Sequence, residues 1–166
     1  MTLHSKPSGV PESVNLTGTP IVRKERIMAN YYATVRTNYF HVKSPDEFKK
    51  MLMDVEGEDS VLLFEETDEN GQPIFGFGCC GTIYGIPKGE DEETDYDFFI
   101  EKLQACVADD DAVIILEAGY ENLRYVIATA LVVTSSDTFF VSAEDVAIEK
   151  AREMLKNDKW DTCCEY

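Results

Sequence analysis

Base is scarce in this sequence. Lysine and arginine number 15 against 32 aspartates and glutamates, a formal net charge of −17 over 166 residues. A body so charged repels nucleic acid and anionic membrane surfaces, and it attracts basic protein surfaces at long range. Direct nucleic-acid binding and membrane binding are therefore not expected. Histidine is scarcer still, with only His4 and His41. A Cys–His nucleophile pair would have to use His41 with Cys79 or Cys80, and no catalytic signature surrounds either. The five cysteines lie as Cys79-Cys80, Cys106 and Cys163-Cys164. None has the two-residue gap that lets paired sulfurs converge on zinc, so no metal or cofactor is expected. Nor is there a secreted disulfide scaffold. No apolar run reaches about 18 residues, which excludes a membrane-spanning helix. No basic start leads into an apolar stretch, so no signal peptide is read and the expected compartment is the cytoplasm. Gly76-Phe77-Gly78-Cys79-Cys80-Gly81 lacks the Lys-Ser/Thr and the following helix of a phosphate loop.

What is present is a globular composition, 44% hydrophobic, sized for a single domain. Residues 1–27 hold Pro7, Gly9, Pro11, Gly18 and Pro20 without periodicity. They read as a flexible tail, an upstream-start extension or a cloning remnant. Their four bases and two acids give +2, leaving −19 from Met28 onward. The domain is read as 28–156, with 157–166 loose.

The spacing of apolar residues predicts the order β-α-β-β-α-β-β-β-α. Tyr31–Val42 reads as a strand with a stumble at Asn38-Tyr39 that suggests a bulge. Ser44-Pro45-Asp46-Glu47 reads as a helix start, with Phe48, Met51, Leu52 and Val55 on its buried face and Gly57 at its end. Ser60–Glu66 and Pro73–Cys79 read as strands joined through Asn70-Gly71, a strong hairpin signal. Gly76 and Gly78 leave one face of the second strand bare, open to an aromatic or a close partner. Gly81–Asp95 reads as a loop. Thr94–Val107 reads as a helix burying Phe99, Leu103, Cys106 and Val107. The densest apolar stretch, Asp109–Ser136, reads as two strands, Ala112–Glu117 and Leu123–Thr134, turning through Ala118–Asn122. Both faces of the second are apolar, so it is expected to be covered on both sides. Thr138–Val141 is a last strand, and Ser142 caps a helix with Ala147, Ala151, Met154 and Leu155 inward. Short hairpin links favour an α+β fold: a single antiparallel sheet of about five to six strands with three helices packed on it.

The features that point to function are acidic clusters. They are Asp54, Glu56, Glu58 and Asp59; Glu65, Glu66, Asp68 and Glu69; Glu90, Asp91, Glu92 and Glu93 with Asp95 and Asp97; and Asp109–Asp111. Each falls in a loop or at an element's end, where caps and turns also use such residues. Several together approach the charge density of a nucleic-acid backbone, roughly one charge per 1.7 Å of duplex axis. The Glu90–Glu93 group with Asp95 and Asp97, and the Glu65–Glu69 group, are the expected partner contacts.

The stretches Ala29–Lys43, ANYYATVRTNYFHVK, and Ile115–Tyr125, ILEAGYENLRY, resemble small acidic proteins carried by phages and mobile elements, most without assigned activity. The resemblance spans about Met28–Lys156. It implies a counter-defence role of the antirestriction or anti-CRISPR kind, in a host cytoplasm, and carries over no functional residue. The function expected is thus a non-enzymatic acidic inhibitor that binds a basic, nucleic-acid-handling host protein by mimicry of nucleic acid. The alternatives are an immunity-type or regulatory partner capping a toxin and, behind that, a Cys/His enzyme.

Overall fold

The computed structural model describes residues 31–89, 92–121, 125–160 and 162. The tail, Glu90, Asp91, Asn122 and Cys163-Cys164 lie outside these described residues. In chain order the elements are β1 (Tyr32–Thr37), α1 (Pro45–Met53), β2 (Glu56–Gly57), β3 (Leu62–Thr67), β4 (Pro73–Cys80), β5 (Ile83–Pro87), β6 (Thr94–Asp95), α2 (Tyr96–Cys106), β7 (Val113–Glu121), β8 (Tyr125–Val133), β9 (Thr138–Ser142) and α3 (Ala143–Leu155). Six strands form one antiparallel sheet in the order β3-β4-β1-β7-β8-β9. A small sheet, β2-β5-β6, stands beside it. The fold is α+β, as the sequence predicts, with this second sheet added.

Local chemistry accounts for several elements. Ser44 Oγ accepts from the Glu47 N–H, Pro45 occupies the first turn, and Phe48, Met51 and Leu52 go inward. Asp54, rather than Gly57, caps the far end of this helix. At the β3–β4 hairpin Asp68 Oδ1 accepts from the N–H groups of Asn70 (2.9 Å) and Gln72 (2.7 Å), and Gly71 takes φ +76°. The stumble in the first strand is real. Asn38 takes over the ladder with its side chain, donating to the Ala112 carbonyl and accepting from the Ile114 N–H. The chain then rejoins the sheet at Phe40, which exchanges two 2.9 Å bonds with Phe75.

The core lies between α1, α2 and one face of the sheet. Phe40, Phe48, Phe75, Phe77 and Phe99 are fully buried there, with Val113 and Val133 from β7 and β8. Successive rings meet edge-on, Phe48 on Phe40, Phe40 on Phe77, Phe77 on Phe99. The bare glycine face of β4 is filled as expected. The Arg36 guanidinium lies 3.4 Å from the centre of the Phe64 ring, and both side chains lie within van der Waals reach of Gly78.

Four expectations need correction. Gly81–Asp95 is not all loop, because Ile83 and Ile86 are apolar enough to bury and drive β5. β7 runs on through Ala118–Glu121 instead of turning, since Gly119, with Tyr31 packed against it, still pairs with Ile127. β8 is not covered on both faces. Leu116, Tyr120, Val126 and Ala128 sit on an open side of the sheet, because α1 and α2 both pack on the other. Finally, α3 buries no residue: Ala147, Met154 and Leu155 are exposed and Ala151 is half-buried.

Candidate functional site

The helix face of the sheet is wider than the helices that cover it. Between α2 and strands β7, β8 and β9 the sheet forms a cleft of about 580 Å³. One wall is the second face of α2: Tyr96, Asp97, Ile100, Glu101 and Gln104, recurring at helical spacing. The floor is Ile115 and Glu117 of β7 with Thr129 and Leu131 of β8, and the far wall is Thr138 and Phe140 of β9. The result is a trough of mixed polarity with three carboxylates, Asp97, Glu101 and Glu117, and no basic side chain in its lining. Glu117 accepts a hydrogen bond from the Tyr31 hydroxyl at 3.1 Å. Burial pushes the Tyr96 phenol up to about 12, and the charges of Glu117 and Asp97 add to the shift. Tyr96 therefore stays a neutral donor at any physiological pH. The Tyr31 phenol is raised too, by burial first and then by Glu117.

A second acidic group forms at the other end of α2. Ala108, just past the helix, donates to the His41 carbonyl, which brings the Asp109–Asp111 turn to the end of β1. His41 Nδ1 lies 2.7 Å from Asp111 Oδ2, its backbone N–H donates to the same oxygen at 2.8 Å, and Nε2 lies 3.4 Å from Asp68 Oδ2. Two clusters far apart in sequence are thus joined through one imidazole. The bond to Asp111 raises the His41 pKa most, desolvation opposes it next, and Asp68 adds to the rise. Burial works to raise the Asp111 carboxyl, but the hydrogen bonds from His41 outweigh it and leave the carboxyl lowered. Asp68 is lowered chiefly by the Gln72 N–H.

The predicted contact residues therefore divide. Glu66 and Glu69 are exposed around the β3–β4 hairpin, Glu65 pairs with Lys49 at 2.7 Å, and Asp68 is engaged by the hairpin backbone and His41. Glu92 and Glu93 are exposed before α2, while Glu90 and Asp91 lie outside the described residues. Asp95 is the N-cap of α2, accepting from the Phe98 N–H, and it bonds Lys88 at 2.6 Å, so both of its oxygens are engaged within the chain. Asp97 stands on the cleft wall. The groups at the two ends of α2 are separated by about the helix length, roughly 16 Å for its 11 residues. Sequence reasoning missed Glu101, Glu117 and Phe140. Glu117 has a signal, a lone carboxylate inside the apolar run Val113–Gly119.

Among the described residues, His41 makes no contact with Cys79 or Cys80. Cys79 is buried opposite Val35, in the middle of β1, with its thiol 3.2 Å from the Asp59 carbonyl. Among the described residues no group of His, Cys, Asp and Glu is arranged to hold a metal ion. No described helix is long and apolar enough to cross a membrane. No known protein family, curated protein or solved structure matches the chain.

Proposed function

We propose that this chain is a non-catalytic acidic protein that binds the basic surface of a nucleic-acid-handling protein and blocks it, most sharply as a counter-defence inhibitor of phage or plasmid origin. The observation that carries the reading is the acidic, base-free cleft lying beside a second carboxylate cluster at the far end of the same helix. A basic groove built to follow phosphates would meet charges at two places along one ridge. Exposed ion pairs are individually weak, about 0–1 kcal/mol each, so affinity has to come from many at once. The partner would be occluded and would need no chemistry from this chain.

The test starts with a pull-down from host lysate at low and high salt, followed by competition between this protein and nucleic acid for the captured partner. Binding should weaken as salt rises and exclude nucleic acid. The combined change of Glu92, Glu93, Asp97 and Glu101 to glutamine should slow association, whereas each single change should do little. Simultaneous binding of protein and nucleic acid, indifferent to salt, would sink the proposal.

A further inference from the structure

The flank built from β9 and α3 is incomplete in two independent ways. First, β9 is the last strand of the six-stranded sheet. Natural edge strands are guarded against pairing by charge, proline or bulges. The opposite edge, β3, carries Glu65 and Glu66, but β9 reads Thr-Phe-Phe-Val-Ser. Its Phe139 and Phe140 point to opposite faces and are 68% and 62% exposed. Second, α3 runs 13 residues without burying one, and Val146, Met154 and Leu155 are exposed, Met154 by 75%. A helix of this length gains most of its stability from packing an apolar face.

Charge says what completes the flank. Residues 138–159 carry five acidic and four basic side chains, a net of −1, whereas residues 28–137 carry 23 and seven, a net of −16. Four of the chain's 15 bases, Lys150, Arg152, Lys156 and Lys159, are gathered here. A strongly basic partner gains little from a segment whose charges nearly balance. A second copy of the same acidic chain meets less repulsion there than over the carboxylate-rich loops, and only an edge strand lets its own sheet continue into that copy. We infer that β9 and α3 form a two-fold interface with a second copy of this chain, β9 pairing antiparallel with its counterpart so that the sheet continues from one protomer into the other. Such an isologous contact is self-complementary, and it sets the two-fold axis beside Phe140, the middle residue of the strand. The contact shares Phe140 with the far wall of the cleft, but it asks nothing of the cleft's carboxylates.

Sedimentation equilibrium of the full chain over a concentration series, at low and at high salt, tests it. The expected result is a monomer–dimer equilibrium that strengthens with salt, because screening relieves repulsion between the two acidic bodies. This is the opposite sign to the binding of a basic partner, so the two readings fail separately. Phe140→Asp and Met154→Asp should each weaken dimerisation by at least about tenfold, since an aspartate would be desolvated in the contact. Leu116→Asp, on the open side of the sheet, should leave it unchanged. If a flank variant loses its native far-UV circular dichroism, hydrogen exchange on the unaltered protein decides: β9 and α3 amides should exchange more slowly as protein concentration rises. A protein that stays monomeric at every concentration, a dimer that survives both flank changes, one lost with Leu116→Asp, or exchange independent of concentration would each overturn the inference. The first outcome would leave the flank for a different protein.

Discussion

Replacing Phe99 by alanine tests the layer arrangement that creates the cleft. The ring is fully buried, meets Phe77 at 6.0 Å and 76°, and meets Tyr96 at 5.8 Å and 67°. It therefore ties α2 to β4 on one side and fixes the cleft-wall tyrosine on the other. Deleting a buried phenylalanine costs about 3–5 kcal/mol, through lost transfer energy and the cavity left behind. A domain of this kind has about 5–15 kcal/mol in total, so a large share of its stability goes. Within the loss, the edge-on contact with Phe77 should appear as a coupling of about 0.5–1.5 kcal/mol in a double-mutant cycle. The matching control is Leu116→Ala on the opposite side of the sheet. That side chain is 52% exposed, and its loss should stay below about 1 kcal/mol. Urea titrations followed by circular dichroism supply all four numbers, provided the slope with denaturant stays constant. A Phe99→Ala loss under about 1.5 kcal/mol, or a Leu116→Ala loss as large as that of Phe99→Ala, would mean that the core does not lie on the α2 side alone.

Three further outcomes follow from particular residues. The folded-state pKa of His41 is raised, so its contribution is complete below the ordinary histidine value near 6.5 and fades as pH rises through the higher folded value. Asp68 and Asp111 are lowered, so theirs is complete above about 4 and fades as pH falls. The melting-temperature gap between the parent protein and His41→Gln should thus be widest in mildly acidic buffer and narrower in alkaline buffer, and an equal gap in both would contradict the clamp. Gly85 takes φ +120°, and a Cβ there would stand 2.3 Å from the Asp95 carbonyl oxygen; Gly85→Ala should cost at least about 1–3 kcal/mol in a denaturant titration, against near-neutrality if β5 were free to shift. Leu131 is half-buried in the cleft floor, so Leu131→Ala should fall below the roughly 2–5 kcal/mol of a fully buried leucine, and a loss inside that range would mean the cleft is closed.

What the sequence made legible was local. Ser44-Pro45 and Asn70-Gly71 fix a helix start and a hairpin through bonds made within a few residues, so they could be read without knowing the rest of the fold. The helix Tyr96–Cys106 could be read from its buried face, yet its other face forms the cleft wall and went unread. Periodicity reports which residues share a side and not what covers that side. Glu117 illustrates the limit: as a string it is one carboxylate among 32 Asp and Glu, and only the register of β7 against β8 and the path of α2 turn it toward Asp97 and Glu101.

The same limit explains why both faces of Tyr125–Val133 and the apolar positions of α3 were expected to be inside. Apolar patterning marks surface that avoids water, and a subunit interface meets that demand as well as a core does. Ala147, Met154 and Leu155 keep the spacing of a buried helical face, although the described residues of one chain leave them exposed. The composition changes at the same place, from a body rich in carboxylates to a segment in which bases nearly balance them. A segment that merely trailed from the domain would have no reason to combine an apolar stripe, an unguarded edge strand and charge balance. The contact inferred between two copies would use all three, and a pattern read as interior would then belong on the surface of one copy.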